Sequence, residues 1–159
     1  MELGTHIRPI RRSEYALAAE LLGEYADWLD LDFCYENIEQ ELAAFPGEFA
    51  PPTGCFLLAI VDDQAAGCVA LRRWGRLSGG LCELKRLFVR PGFRGRHIGM
   101  RLTQAAIDEA RRIGYERLRL DTLPAMRAAI GLYESLGFVE IEKYRTSPTD
   151  DARYFELAL

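Results

Sequence analysis

The stretch Leu87-Phe88-Val89-Arg90-Pro91-Gly92-Phe93-Arg94-Gly95-Arg96-His97-Ile98-Gly99-Met100-Arg101-Leu102 decides how this chain is read. It begins as the end of an apolar strand, turns at Pro91-Gly92, and passes through a Gly- and Arg-rich segment into an amphipathic helix. That order brings free backbone N–H groups, a helix N-terminus and guanidinium groups to one point, which is where phosphate binds. The bland alternative is an ordinary strand-to-helix turn. The segment is not a P-loop, because no Gly-Lys-Ser/Thr follows. Nor is it a dinucleotide fingerprint, since the G-x-G-x-x-G spacing is missing.

Outward from this point the elements alternate. Thr5 to Ile10 reads as a first strand, and Ser13 as the N-cap of a helix reaching Leu29. A second helix covers Asn37 to Phe45. Cys55 to Val61, Gly67 to Trp74 and Leu81 to Val89 read as strands, with a hairpin turn over Asp62 to Ala66. The long helix, His97 to Ile113, carries an apolar stripe of Ile98, Leu102, Ala105, Ala106, Ala110 and Ile113 and stops at Gly114. Arg117 to Asp121 is a buried strand. Thr122 and Pro124 start another helix, which ends at Leu136-Gly137. Phe138 to Tyr144 and Arg153 to Leu157 are the last strands. The fold class is therefore α/β, or α+β: a mixed, mostly antiparallel sheet of six to seven strands flanked by about four helices.

The 159 residues suit one domain, 1–159, with a single substantial core. No apolar run is long enough to span a bilayer, and the first residues lack the apolar stretch of a signal peptide. The cysteines at 34, 55, 68 and 82 match no zinc spacing. Reduced, buried thiols in a cytoplasmic protein without a metal are expected. Dispersed basic residues and a pI near 5.3 speak against a nucleic-acid partner, and no membrane partner is indicated. Charge is segregated: from Ser13 to Leu71 there are twelve acids and no Lys or Arg, while from Arg72 onward seventeen basic residues face eleven acids. A basic half suits an anionic ligand and an acidic half a cationic one, unless both are only solvated faces.

Three segments together carry a resemblance. Glu83 to Pro91, Arg94 to Gly99, and Leu132-Tyr133-Glu134-Ser135-Leu136-Gly137-Phe138 closely resemble the GCN5-related N-acetyltransferases (GNAT). The resemblance covers roughly Leu57 to the C-terminus. It implies acetyl transfer from acetyl-CoA to an amine by direct attack in a ternary complex. The backbone amides of Arg94, Gly95, Arg96, His97, Ile98, Gly99 and Met100 would hold the pyrophosphate. The Leu87, Phe88 and Val89 main chain would pair with the pantetheine arm, where this strand splays from the next. Tyr133 would be the general acid. His97 stands where the family usually has Gly, and Met126 where many members have Asn. Dimers are common in the family, so the resemblance is compatible with a homodimer but leaves the oligomeric state open.

The residue chemistry agrees with these roles without compelling them. A phenol with a reference pKa of about 10 stays protonated at neutral pH and can protonate a leaving thiolate. The alternative for Tyr133 is a packed helix-end tyrosine. Glu83 could take a proton from an ammonium acceptor, or could form a cross-strand ion pair with Arg72 or Arg73. Alternation over Leu81 to Val89 puts Glu83, Lys85, Leu87 and Val89 on one face. Asp27 to Glu36 mixes acids with aromatics, and in this family that loop walls the acceptor site. Trp28, Asp30, Asp32 and Tyr35 are thus expected to bind a cationic acceptor, either a small molecule or a peptide amine. Otherwise Trp28 and Phe33 anchor the core. Two rival functions are a catalytically silent acyl-CoA-binding regulatory module and a transferase for a longer acyl-CoA.

Overall fold

A computed structural model describes residues 4–29, 32–75, 80–145 and 150–159, with the backbone alone over 32–37. In chain order the elements are β1 (Thr5–Pro9), α1 (Tyr15–Leu29), α2 (Asp32–Ala43), β2 (Cys55–Val61), β3 (Gln64–Arg73), β4 (Leu81–Val89), α3 (Ile98–Ile113), β5 (Arg117–Thr122), α4 (Arg127–Ser135), β6 (Val139–Ile141) and β7 (Arg153–Ala158). The strands form one seven-stranded sheet in the order β1-β2-β3-β4-β5-β7-β6. β4 and β5 run parallel, and the other neighbours run antiparallel. This is the mixed sheet with four helices that the sequence implies.

The unbroken apolar run of β2 is explained by burial on both faces. Leu57, Ala59 and Val61 point to a core shared with Leu102, Ala106 and Ala110 of α3 and Ile130 of α4. Phe56, Leu58 and Ile60 point the other way, to Ala18, Leu21 and Leu22 of α1. The β2–β3 turn is tighter than expected. Asp62 and Asp63 both adopt left-handed dihedrals (φ 49° and 63°), the geometry of a two-residue hairpin, and β3 already starts at Gln64.

Helix starts depart most from the sequence reading. Ser13 does not cap α1, since residues 12–14 form a short 3-10 turn and the helix begins at Tyr15. Glu14 does the work instead. Its carboxylate accepts the Arg11 N–H at 2.9 Å and both terminal nitrogens of Arg8 at 2.7 Å. α4 starts at Arg127, not at Thr122 or Pro124. Met126 N–H donates to Leu123 O at 2.9 Å, so Pro124 occupies the second position of a turn, its favoured place. β6 is shorter than expected, and Phe138 enters the core ahead of it.

Candidate active site

β4 and β5 share only three paired positions: Leu81 with Arg117, Cys82 with Leu118 and Glu83 with Arg119. Beyond them the strands part, although β4 continues to Val89 and β5 to Thr122. The cause lies within β4. Across β3, Cys68 faces Phe88 but Ala70 faces Lys85, so β4 contains one extra residue, which bends the strand. Arg86 takes the strain with φ 59°. Glu41 accepts two hydrogen bonds from its guanidinium (3.0 and 3.1 Å), which also lies 5.9 Å from the Tyr25 ring.

This bulge overturns the expected alternation. Leu87 and Val89 pack on the α3 side with Cys82 and Leu84, whereas Phe88 packs on the α1 side. Glu83 and Lys85 therefore do not share a face with Leu87 and Val89, because the extra residue resets the pleat.

The wedge opens into a cavity of about 810 Å³. Leu87, Phe88, Val89, Arg94, Gly95, His97, Ile98, Gly99, Tyr133 and Trp28 all line it. So do Lys85, Asp121 and Arg145, which the sequence did not single out. The side chains of Arg96 and Met100 lie elsewhere. Arg96 sits 5.7 Å from the Phe93 ring, and Met100 faces a groove with His6 and Ile7. Their contribution to the cavity can only be main-chain. The side chains of Asp30, Asp32 and Tyr35 fall outside the described residues.

At one end of the cavity the chain before α3 makes an anion-binding geometry. Gly95 and His97 are left-handed (φ 81° and 60°), a conformation that Gly adopts without strain and that fits the Gly the resemblance would place at position 97. The first intrahelical bond of the turn runs from Arg101 N–H to His97 O at 3.1 Å. The amides of Ile98, Gly99 and Met100 precede it and have no acceptor within the helix. No acid occupies the first turn of this 16-residue helix, so its dipole favours an anion there. Arg94 donates from Nε to Val89 O at 2.9 Å and lies 4.8 Å from the Trp28 ring. Trp28, 46% exposed, is at once cavity wall and part of an aromatic stack with Phe88 (5.9 Å) and Tyr25 (6.4 Å).

On the α4 side, Tyr133 is 5% exposed and packed against Phe138 and Phe155. Burial raises its phenol above the usual range, and the neighbouring Tyr25 and Asp121 add to this. The group therefore remains protonated at any physiological pH. Its hydroxyl makes no hydrogen bond among the described residues.

Glu83 is fully buried and caged. Its Oε1 accepts from Arg72 Nε (3.0 Å) and Nη2 (2.8 Å), and its Oε2 from Tyr144 Oη (2.6 Å) and Arg145 Nη1 (3.2 Å). Burial alone would raise this carboxyl, but Lys85, Tyr144, Arg72 and Arg145 together hold it below the ordinary carboxylate value. The Arg72 ion pair weighed from the sequence is thus present. Other acids of the first third are paired as well: Glu20 and Glu24 with Arg90, Glu41 with Arg86 and Glu48 with Arg72. Among the described residues no three His, Cys, Asp or Glu side chains gather into a metal site. No described helix is long and apolar enough to cross a membrane.

The profile of the Acetyltransferase (GNAT) family matches residues 17–138. The chain belongs to that family. The match takes in the β4 bulge, the loop before α3, and α4. A Schizosaccharomyces pombe protein named as an uncharacterized N-acetyltransferase is 36% identical over 140 residues, covering 87% of this chain and 85% of its own. Among solved structures, a GNAT acetyltransferase of Staphylococcus aureus superposes with a TM-score of 0.81 at 22% identity, covering 98% of this chain and 99% of its own. The PaiA N-acetyltransferase of Thermoplasma acidophilum, solved in complex with coenzyme A, gives 0.77 at 17% identity, covering 98% and 99%. As a GNAT member the protein is an acyl-CoA-dependent acetyltransferase.

Proposed function

We propose that this GNAT protein moves the acetyl group of acetyl-CoA to the nitrogen of an amine by direct attack in a ternary complex. One observation carries the proposal: the β4–β5 wedge has unpaired helix amides at one end and a buried, protonated phenol on its wall. In this reading the amides from Arg94 to Met100 hold the pyrophosphate, through the main chain alone at Arg96 and Met100. The main chain of Leu87, Phe88 and Val89, unpaired on the β5 side, orients the pantetheine arm. Tyr133 donates its proton to the departing thiolate. The coenzyme A bound by the Thermoplasma acidophilum relative and the name of the Schizosaccharomyces pombe protein support this assignment. Position 126, where Met stands for Asn, adds no polar side chain to it.

The acceptor must lose a proton before it attacks. Glu83 is poorly placed to take it, since its oxygens are filled by Arg72, Tyr144 and Arg145 and it does not line the cavity. Among the described residues three carboxylates line the cavity, Glu41, Glu48 and Asp121. Glu41 and Glu48 are hydrogen-bonded to Arg86 and Arg72, whereas Asp121, at the end of β5, accepts no hydrogen bond from a described side chain, and we assign it that role. A pH–rate profile tests the choice. The acidic limb should persist in Glu83→Gln and be lost or displaced in Asp121→Asn; the reverse outcome would restore Glu83 as the base.

A cationic acceptor is the form the acidic first third suggests. Its support shrinks once Glu20, Glu24, Glu41 and Glu48 are seen to be ion-paired. Direct attack needs no thiol nucleophile. Burial pushes the thiols of Cys55, Cys68 and Cys82 up to about 12, which leaves them inert and suits the reducing cytoplasm we assign to the protein. The deciding experiment is calorimetric titration with acetyl-CoA beside adenosine 3′,5′-bisphosphate and ATP. Micromolar acetyl-CoA binding, tighter than either nucleotide, is expected. No detectable binding would overturn the assignment.

A further inference from the structure

The charged floor of the cavity holds more hydrogen-bond donors than acceptors. Lys85 is 12% exposed at its side chain, with its ammonium 3.9 Å from Glu83 Oε1 and 3.6 Å from Asp121 Oδ1. Both distances exceed hydrogen-bond length, so Nζ has charge partners but no hydrogen bond among the described residues. Arg145 shares the same two carboxylates. Its Nη1 reaches Glu83 at 3.2 Å and Asp121 at 3.7 Å. Among the described residues its buried Nε has no acceptor, and its Nη2 has none either. The guanidinium carbon is held 5.4 Å from the Trp74 ring.

Glu83 cannot make good the shortage. Arg72, Tyr144 and Arg145 Nη1 already occupy its oxygens, and the third nitrogen of Arg72 is satisfied by Glu48 at 2.6 Å. Buried donors without acceptors cost free energy, and natural proteins rarely leave them so. Here the buried donor is Arg145 Nε, and Arg145 Nη2 and Lys85 Nζ, without a hydrogen bond among the described residues, accompany it on the wall of one cavity. The edge of a guanidinium formed by Nε and Nη2 is one that a carboxylate can engage through two parallel hydrogen bonds.

We propose that Lys85 and Arg145 form a carboxylate subsite, and that the acetyl acceptor is a small amino acid. The acceptor carboxylate sits on Lys85 Nζ and Arg145 Nη2, completing the fork at Nε. Its ammonium lies toward Asp121, which both attracts it and takes its proton. A molecule with both charges fits a floor where cations and a carboxylate stand side by side; a polyamine would bring only further positive charge beside Lys85 and Arg145, whose carboxylates are already shared between them. This inference rests on the acetyltransferase reading above.

The test is acetyl transfer, followed as coenzyme A release, to the common L-amino acids, each beside its carboxamide. At least one free acid should exceed its amide in kcat/KM by about tenfold or more, the discrimination one charge-assisted hydrogen bond gives. Lys85→Met and Arg145→Met should bring that ratio toward one, and Arg145→Lys should restore part of it. If a Met variant no longer unfolds cooperatively, the wild-type ratio decides alone. Amides or simple amines that match the free acids, no free acid accepted at all, or a ratio that survives in both folded variants would each overturn the subsite. Failure of the wild-type protein to bind acetyl-CoA by calorimetry would instead overturn the acetyltransferase reading, and the inference with it.

Discussion

Tyr133 and His97 show how much single residues carry. The Tyr133 hydroxyl has no partner to lose among the described residues, and its ring is fixed by Phe138 and Phe155. Tyr133→Phe should therefore leave the melting temperature and acetyl-CoA affinity almost unchanged. Turnover should fall by about an order of magnitude or more, as expected when a general acid is removed. Unchanged turnover would take the proton-donor role away from Tyr133. His97 instead supplies a backbone shape. Its left-handed conformation (φ 60°) is open to Gly, tolerable for His and poor for a β-branched residue. His97→Val should cost about 1–2 kcal/mol of stability and weaken acetyl-CoA binding, because the following amides lose their aim. His97→Gly should keep both. Thermal melts and calorimetry on the pair separate shape from side chain.

Among the elements, β4 does the most, and its bulge depends on close backbone contact with β3. A Cβ at Gly67 would stand 2.3 Å from the Phe88 carbonyl oxygen, so Gly67→Ala must push the two strands apart. A stability loss of about 1–3 kcal/mol is expected, together with weaker acetyl-CoA binding, since Phe88 and Val89 flank the wedge; urea midpoints and titrations measure both. Much of this architecture is legible in the sequence because its signals are local. The apolar run of β2, the stop at Gly114 and the Gly- and Arg-rich entry to α3 each lie within a few residues of what they specify. The bulge is not legible, because Arg86 is neither Gly nor Pro and is held left-handed by Glu41, 45 residues away. The cage around Glu83 divides along the same line. Arg72 follows from strand register, while Tyr144 and Arg145, 61 and 62 residues distant, meet Glu83 only once the sheet is assembled. The same bulge hides the place of Lys85, since strict alternation along β4 sets it on the face of Leu87 and Val89.

Over the whole molecule the segregated charges meet. Acids of the first third clip the α1 and α2 layer and its following loop onto β3 and β4 through Arg90, Arg86 and Arg72. Acid should therefore loosen the fold. The side-chain hydrogen bonds from Arg8, above all, lower the Glu14 carboxyl from 4.5 to about 2, and Glu83 is also held below its usual value. A carboxyl depressed in the folded state stabilises fully above its unfolded pKa and loses that contribution as pH falls through the folded one. The urea midpoint should thus hold near neutrality and decline from about pH 4.5 toward 2, with a shallower decline in Glu14→Gln. The parted strands carry a consequence beyond catalysis. They divide the sheet into four strands, β1 to β4, and three, β5 to β7, joined by three paired positions. A ligand that fills this seam supplies the missing rungs, and at a hundred times its Kd it adds about 2.7 kcal/mol against unfolding. Saturating coenzyme A should slow limited proteolysis accordingly, so the supply of the acyl carrier sets the working life of the protein as well as its rate.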